Sequence, residues 1–253
     1  MNRKMKRVVL SLVCLLSLAA SCFLTDCALN AKTIRGNGKA VTKEYRFDEI
    51  DKISLAGSAA CSYTQSDAAP QVTLTIDENL LDYVEVTMKA GALSVGPKLD
   101  RPHGGSSYNL QPTTYKVEIN SKTLRRVELA GSGSFTTNAL QVERVKFDLA
   151  GSGSVKVAGL QADKVSCDVA GSGNVLLKGR VRDASFDLAG SGSIDASGCE
   201  AEEVEGEIAG SGNMEVFATK QLKGDIAGSG KIYYKGSPKV KSDTVGSGKV
   251  VKR

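Results

Sequence analysis

Around Gly151, Val145, Phe147 and Leu149 alternate with Lys146 and Asp148, and beyond the glycine Val155 and Val157 flank Lys156. Apolar and polar residues alternating with period two mark a strand with one buried face, so this segment reads as strand, turn, strand. The same template places Val165, Cys167, Val169, Val175 and Leu177 inward around Gly171, and Phe186, Leu188 and Ile194 around Gly190. Val204, Ile208, Met214 and Val216 follow around Gly210, then Leu222, Ile226, Ile232 and Tyr234 around Gly228. Around Gly246 the inward slots fall to Ser242 and Thr244, a tapering that suits the terminal rung of a stack.

The turn itself is Gly-Ser-Gly, with first glycines at Gly131, Gly151, Gly171, Gly190, Gly210, Gly228 and Gly246, spaced by 20, 20, 19, 20, 18 and 18 residues. One strand pair of this length cannot bury its own apolar face, whereas equivalent pairs stacked in parallel share a continuous core. The predicted fold is therefore all-β: a parallel β-helix, or β-solenoid, with rungs of about 18–20 residues over 121–253. Glycine on both sides of each serine is expected to supply positive φ at the corner. Upstream, Leu55-Ala56-Gly57-Ser58-Ala59 is a degenerate rung completed by Ile53, Cys61 and Tyr63.

Residues 32–120 form a less regular β-rich region in which that early rung is followed by an insertion. Gln71 to Ile76 and Val84 to Val95 read as strands around a short helical segment at Asp77 to Asp82, and Pro97 to Pro112 as an exposed loop. If the chain has a specific ligand site, the insertion is its expected host, because irregular loops carry function while regular rungs carry scaffold.

The first residues change the picture of where the chain works. Arg3, Lys4, Lys6 and Arg7 precede an apolar run from Val8 to Ala20, the layout of an export signal. Two processing sites compete: cleavage after Ala31, or cleavage after Ser21 with lipid attached to Cys22. Export to the periplasm, outer membrane or cell surface of a diderm bacterium follows, with contact to membrane only through such a lipid. The formal charge of +5 is carried by the signal, since 29 basic and 28 acidic residues remain from Cys22 onward. A nearly neutral chain argues against nucleic acid as a partner. Of the remaining cysteines, Cys27, Cys61, Cys167 and Cys199, none forms a C-x-x-C pair, and Cys61 and Cys167 fall on inward positions as free thiols.

One outward column is acidic at every repeat: Glu128, Asp148, Asp168, Asp187, Glu207, Asp225 and Asp243, each three residues before its glycine. Stacked like charges repel by roughly 0.8 kcal/mol per neighbouring pair at about 5 Å in water, so something offsets them. The favoured reading is hydrogen bonding from backbone N–H groups or turn serines, helped by Arg126, Lys146, Lys223 and Lys241; the alternative is Ca²⁺ held along the column. Apart from that possibility no cofactor is implied. His103 is the single histidine, so a His-rich metal site is excluded and no turn serine has a base near it in sequence. The glycine turns lead into strands, not helices, and so are poor phosphate cradles. The short links between rungs, such as Ala158 to Lys164 and Phe217 to Gln221, leave little room for a cleft.

The export signal, Ile34-Arg35-Gly36-Asn37-Gly38, the segment Phe47 to Ser58 and the train of L-A-G-S-G-S rungs together resemble the GIN domain, a bacterial family described as autotransporter adhesin heads. The resemblance implies a two-part β-helical structure, no catalytic residues and a role in adhesion. The expected function is accordingly an exported envelope binding or adhesion scaffold, without catalysis, that meets a host or envelope glycan or protein surface. The alternatives are a β-helix carbohydrate-active enzyme of the polysaccharide lyase or hydrolase type and a structural protein that pairs with copies of itself as a homo-oligomer.

Overall fold

The computed structural model describes residues 32–98 and 108–253; the signal segment, both processing sites, Cys22, Cys27 and His103 lie outside them. The amino-terminal part holds β1 (Thr33–Arg35), β2 (Ala40–Arg46), β3 (Lys52–Gly57), β4 (Ala60–Gln65) and β5 (Gln71–Asp77). A 3-10 helix at Glu78–Tyr83 leads to β6 (Val84–Lys89), β7 (Ala92–Pro97), β8 (Asn109–Gln111) and β9 (Tyr115–Ser121). The repeats begin with β10 (Arg126–Gly131) and β11 (Ser134–Thr137), then β12 (Leu140–Gly151), β13 (Ser154–Gly171) and β14 (Asn174–Gly190). They continue through β15 (Ser193–Gly210), β16 (Asn213–Gly228), β17 (Lys231–Lys235), β18 (Lys239–Gly246) and β19 (Lys249–Lys252).

All rungs pair in parallel, and Gly57, Gly131, Gly151, Gly171, Gly190, Gly210, Gly228 and Gly246 fall in one register row. The degenerate Gly57 rung thus stacks directly on the Gly131 rung although 60 residues intervene between Gln65 and Arg126. The inward positions read from the alternation are buried, from Ile53 through Val145, Phe147 and Leu149 to Ile232. Each such side chain contributes about 1.5–3 kcal/mol of apolar transfer. Aromatic rings continue the column where it enters the early rungs, with Tyr63 stacked on Phe135 at 6.0 Å and Phe135 against Phe147 at 6.1 Å. Cys61, Cys167 and Cys199 are buried free thiols within this core, and burial pushes the Cys61 thiol up to about 12.

The rung is more than strand, turn, strand. β13 and β15 each run 18 residues because the links between rungs are themselves strand and build a third, connecting face. The unequal repeat spacings are absorbed there: register shifts occur between Val157 and Leu160 and between Ala196 and Glu200, while the corner row stays aligned.

The two corner glycines do different work. Only the first takes positive φ, for example +124° at Gly171, and its carbonyl accepts from Ser191 N and Gly192 N of the next rung at 3.0 and 3.1 Å. The second is required by proximity instead, since a Cβ on Gly173 would lie 2.5 Å from the Leu149 side chain. The turn serines, Ser172 among them, are exposed.

The insertion folds as a cap. β9 pairs parallel with β4 on one side and antiparallel with β5 on the other, β5 pairs antiparallel with β2, and β7, stacked on β3, pairs antiparallel with β6. Parallel stacking therefore gives way to antiparallel strands that cover the first rung. The segment read as a loop contains β8, which pairs with β1.

Candidate functional site

Two outward faces gather the polar side chains. The first is the acidic column, which the registry brings together as expected, Glu128 over Asp148, Asp168, Asp187, Glu207, Asp225 and Asp243. Its charge is offset by basic side chains that bridge rungs. Arg126 Nε lies 2.8 Å from Glu128 and 2.7 Å from Asp148, and Lys146 Nζ lies 3.0 Å from Asp148 and 2.6 Å from Asp168. Lys223 Nζ reaches Asp225 at 3.2 Å and Glu207 at 3.8 Å, and also Glu205. Among the described residues no group of three or more His, Cys, Asp or Glu side chains is arranged to hold a metal ion. The offset comes from Arg126, Lys146 and Lys223, each two residues upstream of an acid, whereas Lys241, expected to help in the same way, makes no ion pair among the described residues.

That ladder is interrupted. The rows holding Arg126, Lys146 and Lys223 present Ser166, Ser185 and Glu205 in the intervening rungs. Burial, then Asp168, then Glu207 push the Asp187 carboxyl up to about 7 from an ordinary 3.8. The folded protein holds that proton up to about pH 7 and the unfolded chain releases it near 3.8, so the stability it confers is present at lower pH and lost as pH rises through this window. Asp187→Asn is expected to remove this loss: urea unfolding of the wild type should weaken from pH 4 to pH 8 relative to the variant, and parallel curves would refute the assignment.

The second face is a groove of about 920 Å³ on the connecting strands of β12 to β16. The links, expected to leave little room for a cleft, hold an open, solvent-facing groove in which small residues stand. Gly159 and Gly179 line the groove with Ala201, and a Cβ on Gly179 would sit 2.0 Å from the Leu160 carbonyl oxygen. One register row along it reads Gln141, Gln161, Arg180, Glu200, with Arg180 Nη2 3.5 Å from Glu200. The alternation here was visible in sequence, but the hollow depends on where successive links lie over one another, which periodicity does not report. The insertion supplies the cap.

A ladder of parallel rungs, closed at one end by antiparallel strands and lined on its flanks by polar rows, defines a capped β-solenoid scaffold. The sequence places it more narrowly: residues 49–238 match the family described as "Putative auto-transporter adhesin, head GIN domain", and the chain belongs to that family. It is similar to a crystal structure from Parabacteroides distasonis titled "Putative lipid binding protein", at 38% identity and a TM-score of 0.75 over 88% of this chain and 100% of that one. A protein titled a "putative adhesin" from Parabacteroides merdae shares 30% identity and a TM-score of 0.69 over 88% of this chain and 100% of its own. Another so titled, from Bacteroides fragilis, reaches a TM-score of 0.78 at 25% identity over 87% of this chain and 100% of its own. Among curated proteins none matches the sequence.

Proposed function

We propose that the chain is an exported adhesion scaffold that holds an extended glycan along the connecting-face groove. The carrying observation is the register row of Gln141, Gln161, Arg180 and Glu200. Rungs repeat at about 4.8 Å, close to the length of one pyranose unit in an extended chain, so successive sugars would meet successive amide, guanidinium and carboxylate groups. These groups both donate to and accept from hydroxyls. Membership of the adhesin family and the amino-terminal export signal support the same reading, with a lipid on Cys22 as the means of retention at the envelope.

A glycan array combined with product analysis tests it. Binding without product release is expected, and Arg180→Ala with Glu200→Ala should weaken it about tenfold or more at unchanged unfolding temperature, the loss of two charged hydrogen-bonding groups. Binding indifferent to both substitutions would reject the groove. Released reducing ends or unsaturated sugars would instead establish a carbohydrate-active enzyme.

A further inference from the structure

The end of the stack opposite the cap differs from every other rung. Among the described residues β18 is hydrogen-bonded only to β16 and β19 only to β17, so within them each leaves a row of backbone N–H and C=O groups open on its other side. The large exposed hydrophobic side chains among the described residues, Val240, Val245 and Val251, all lie on these two strands. Lys239, Lys241, Lys249 and Lys252 stand beside them, and no ion pair among the described residues engages any of the four. Asp243 is the one acidic side chain on the two strands.

These features select an occupant. An open strand edge is satisfied by another strand, and hydrocarbon cannot satisfy it. A second copy presenting the same edge would bring two net-positive strands together, which is unfavourable across a sheet. Edge lysines oppose neutral and basic strands but attract acidic ones. We propose that β18 and β19 form a docking edge for an acidic extended segment of a partner protein, which adds as a further strand of the stack. Its carboxylates lie over Lys239 and Lys241, and the apolar positions that alternate with them cover Val240. The mode is strand addition, in which main-chain hydrogen bonds give affinity and alternate side chains give selectivity. It is independent of the groove.

The test uses a synthetic peptide of alternating Val and Glu, its Val/Lys counterpart, and a Val/Glu version interrupted by proline, each titrated into the full mature protein. The Val/Glu peptide is expected to bind, to slow amide exchange along β18, and to weaken about tenfold between low and high salt, as screened charge pairs do. Lys239→Glu with Lys241→Glu, both at exposed positions, should reverse the preference toward the Val/Lys peptide. Failure of the Val/Glu peptide to bind overturns the proposal. So does equal binding of the proline-interrupted peptide, protection of β18 by self-association, or protection by phosphatidylglycerol vesicles alone.

Discussion

Gly171→Ala should cost about 4 kcal/mol or more, and Gly57→Ala only about 1–2 kcal/mol, although both glycines hold positive φ at the same corner row. The difference isolates stacking from backbone conformation. At Gly171 the added Cβ would lie 2.5 Å from the Gly151 carbonyl oxygen, an atom fixed by the rung before it. Relief requires the rungs to separate, which also stretches the bonds that the Gly171 carbonyl accepts from Ser191 and Gly192. At Gly57, with φ of +99°, no atom lies within 4 Å of the added Cβ, because no further glycine corner stacks on that side. Chemical unfolding of the two variants should therefore separate by several kcal/mol, a large fraction of the 5–15 kcal/mol that holds a typical domain. Equal losses would mean that conformational strain alone accounts for the corner glycines.

The same contrast explains which parts of the structure could be read from sequence. The solenoid was legible because each of its constraints repeats: an inward Val or Leu every second residue, a corner glycine every 18 to 20 residues, and an acid three positions before it. Parallel stacking then turns sequence period into spatial column with no further information. The connecting face was less legible, since its links differ in length and its inward residues, such as Val181, Cys199 and Ala201, are interspersed with Gln, Arg and Glu. The groove consequently went unseen. Of the four cations read as helpers, Arg126, Lys146 and Lys223 engage the column and Lys241 does not, whereas the gap at Ser166 and Ser185 is plain only once those residues are set in register between Lys146 and Lys223. Antiparallel pairing in the cap left no signal, because strands of either orientation carry the same alternation.

The cap also holds the residue whose role is furthest from anything local sequence shows. Asp77 ends β5 and is fully buried. One carboxylate oxygen accepts from Gly38 N at 2.9 Å and from the Thr113 hydroxyl at 2.5 Å; the other accepts from Thr113 N at 2.8 Å and Thr114 N at 3.2 Å. The carboxylate therefore ties the segment before β2 and the segment before β9 to the end of β5. It also explains Gly36 in the Ile34-Arg35-Gly36-Asn37-Gly38 motif, since a Cβ there would come within 2.3 Å of an Asp77 oxygen. The neighbouring Asn79 reinforces the clasp by accepting from Asn37 N and donating to the Arg35 carbonyl.

Asp77→Ala would strand these donors in a buried site and should destabilise the protein by about 3–5 kcal/mol. The Thr113 hydroxyl, opposed by burial and aided by the three amides, holds the Asp77 carboxyl down at about 2 from an ordinary 3.8. A depressed pKa confers stability that is present above about pH 4 and lost as pH falls toward 2. The gap between wild type and Asp77→Ala should thus narrow in acid, and amide exchange at Gly38, Thr113 and Thr114 should accelerate in the variant at pH 7. Because the solenoid beyond the early rung makes no contact with this carboxylate, exchange in β13 to β15 should rise only as far as global stability falls. Loss confined to the cap, with mid-stack amides unchanged, would show that the cap opens as a separate unit; an unchanged unfolding midpoint would contradict the clasp.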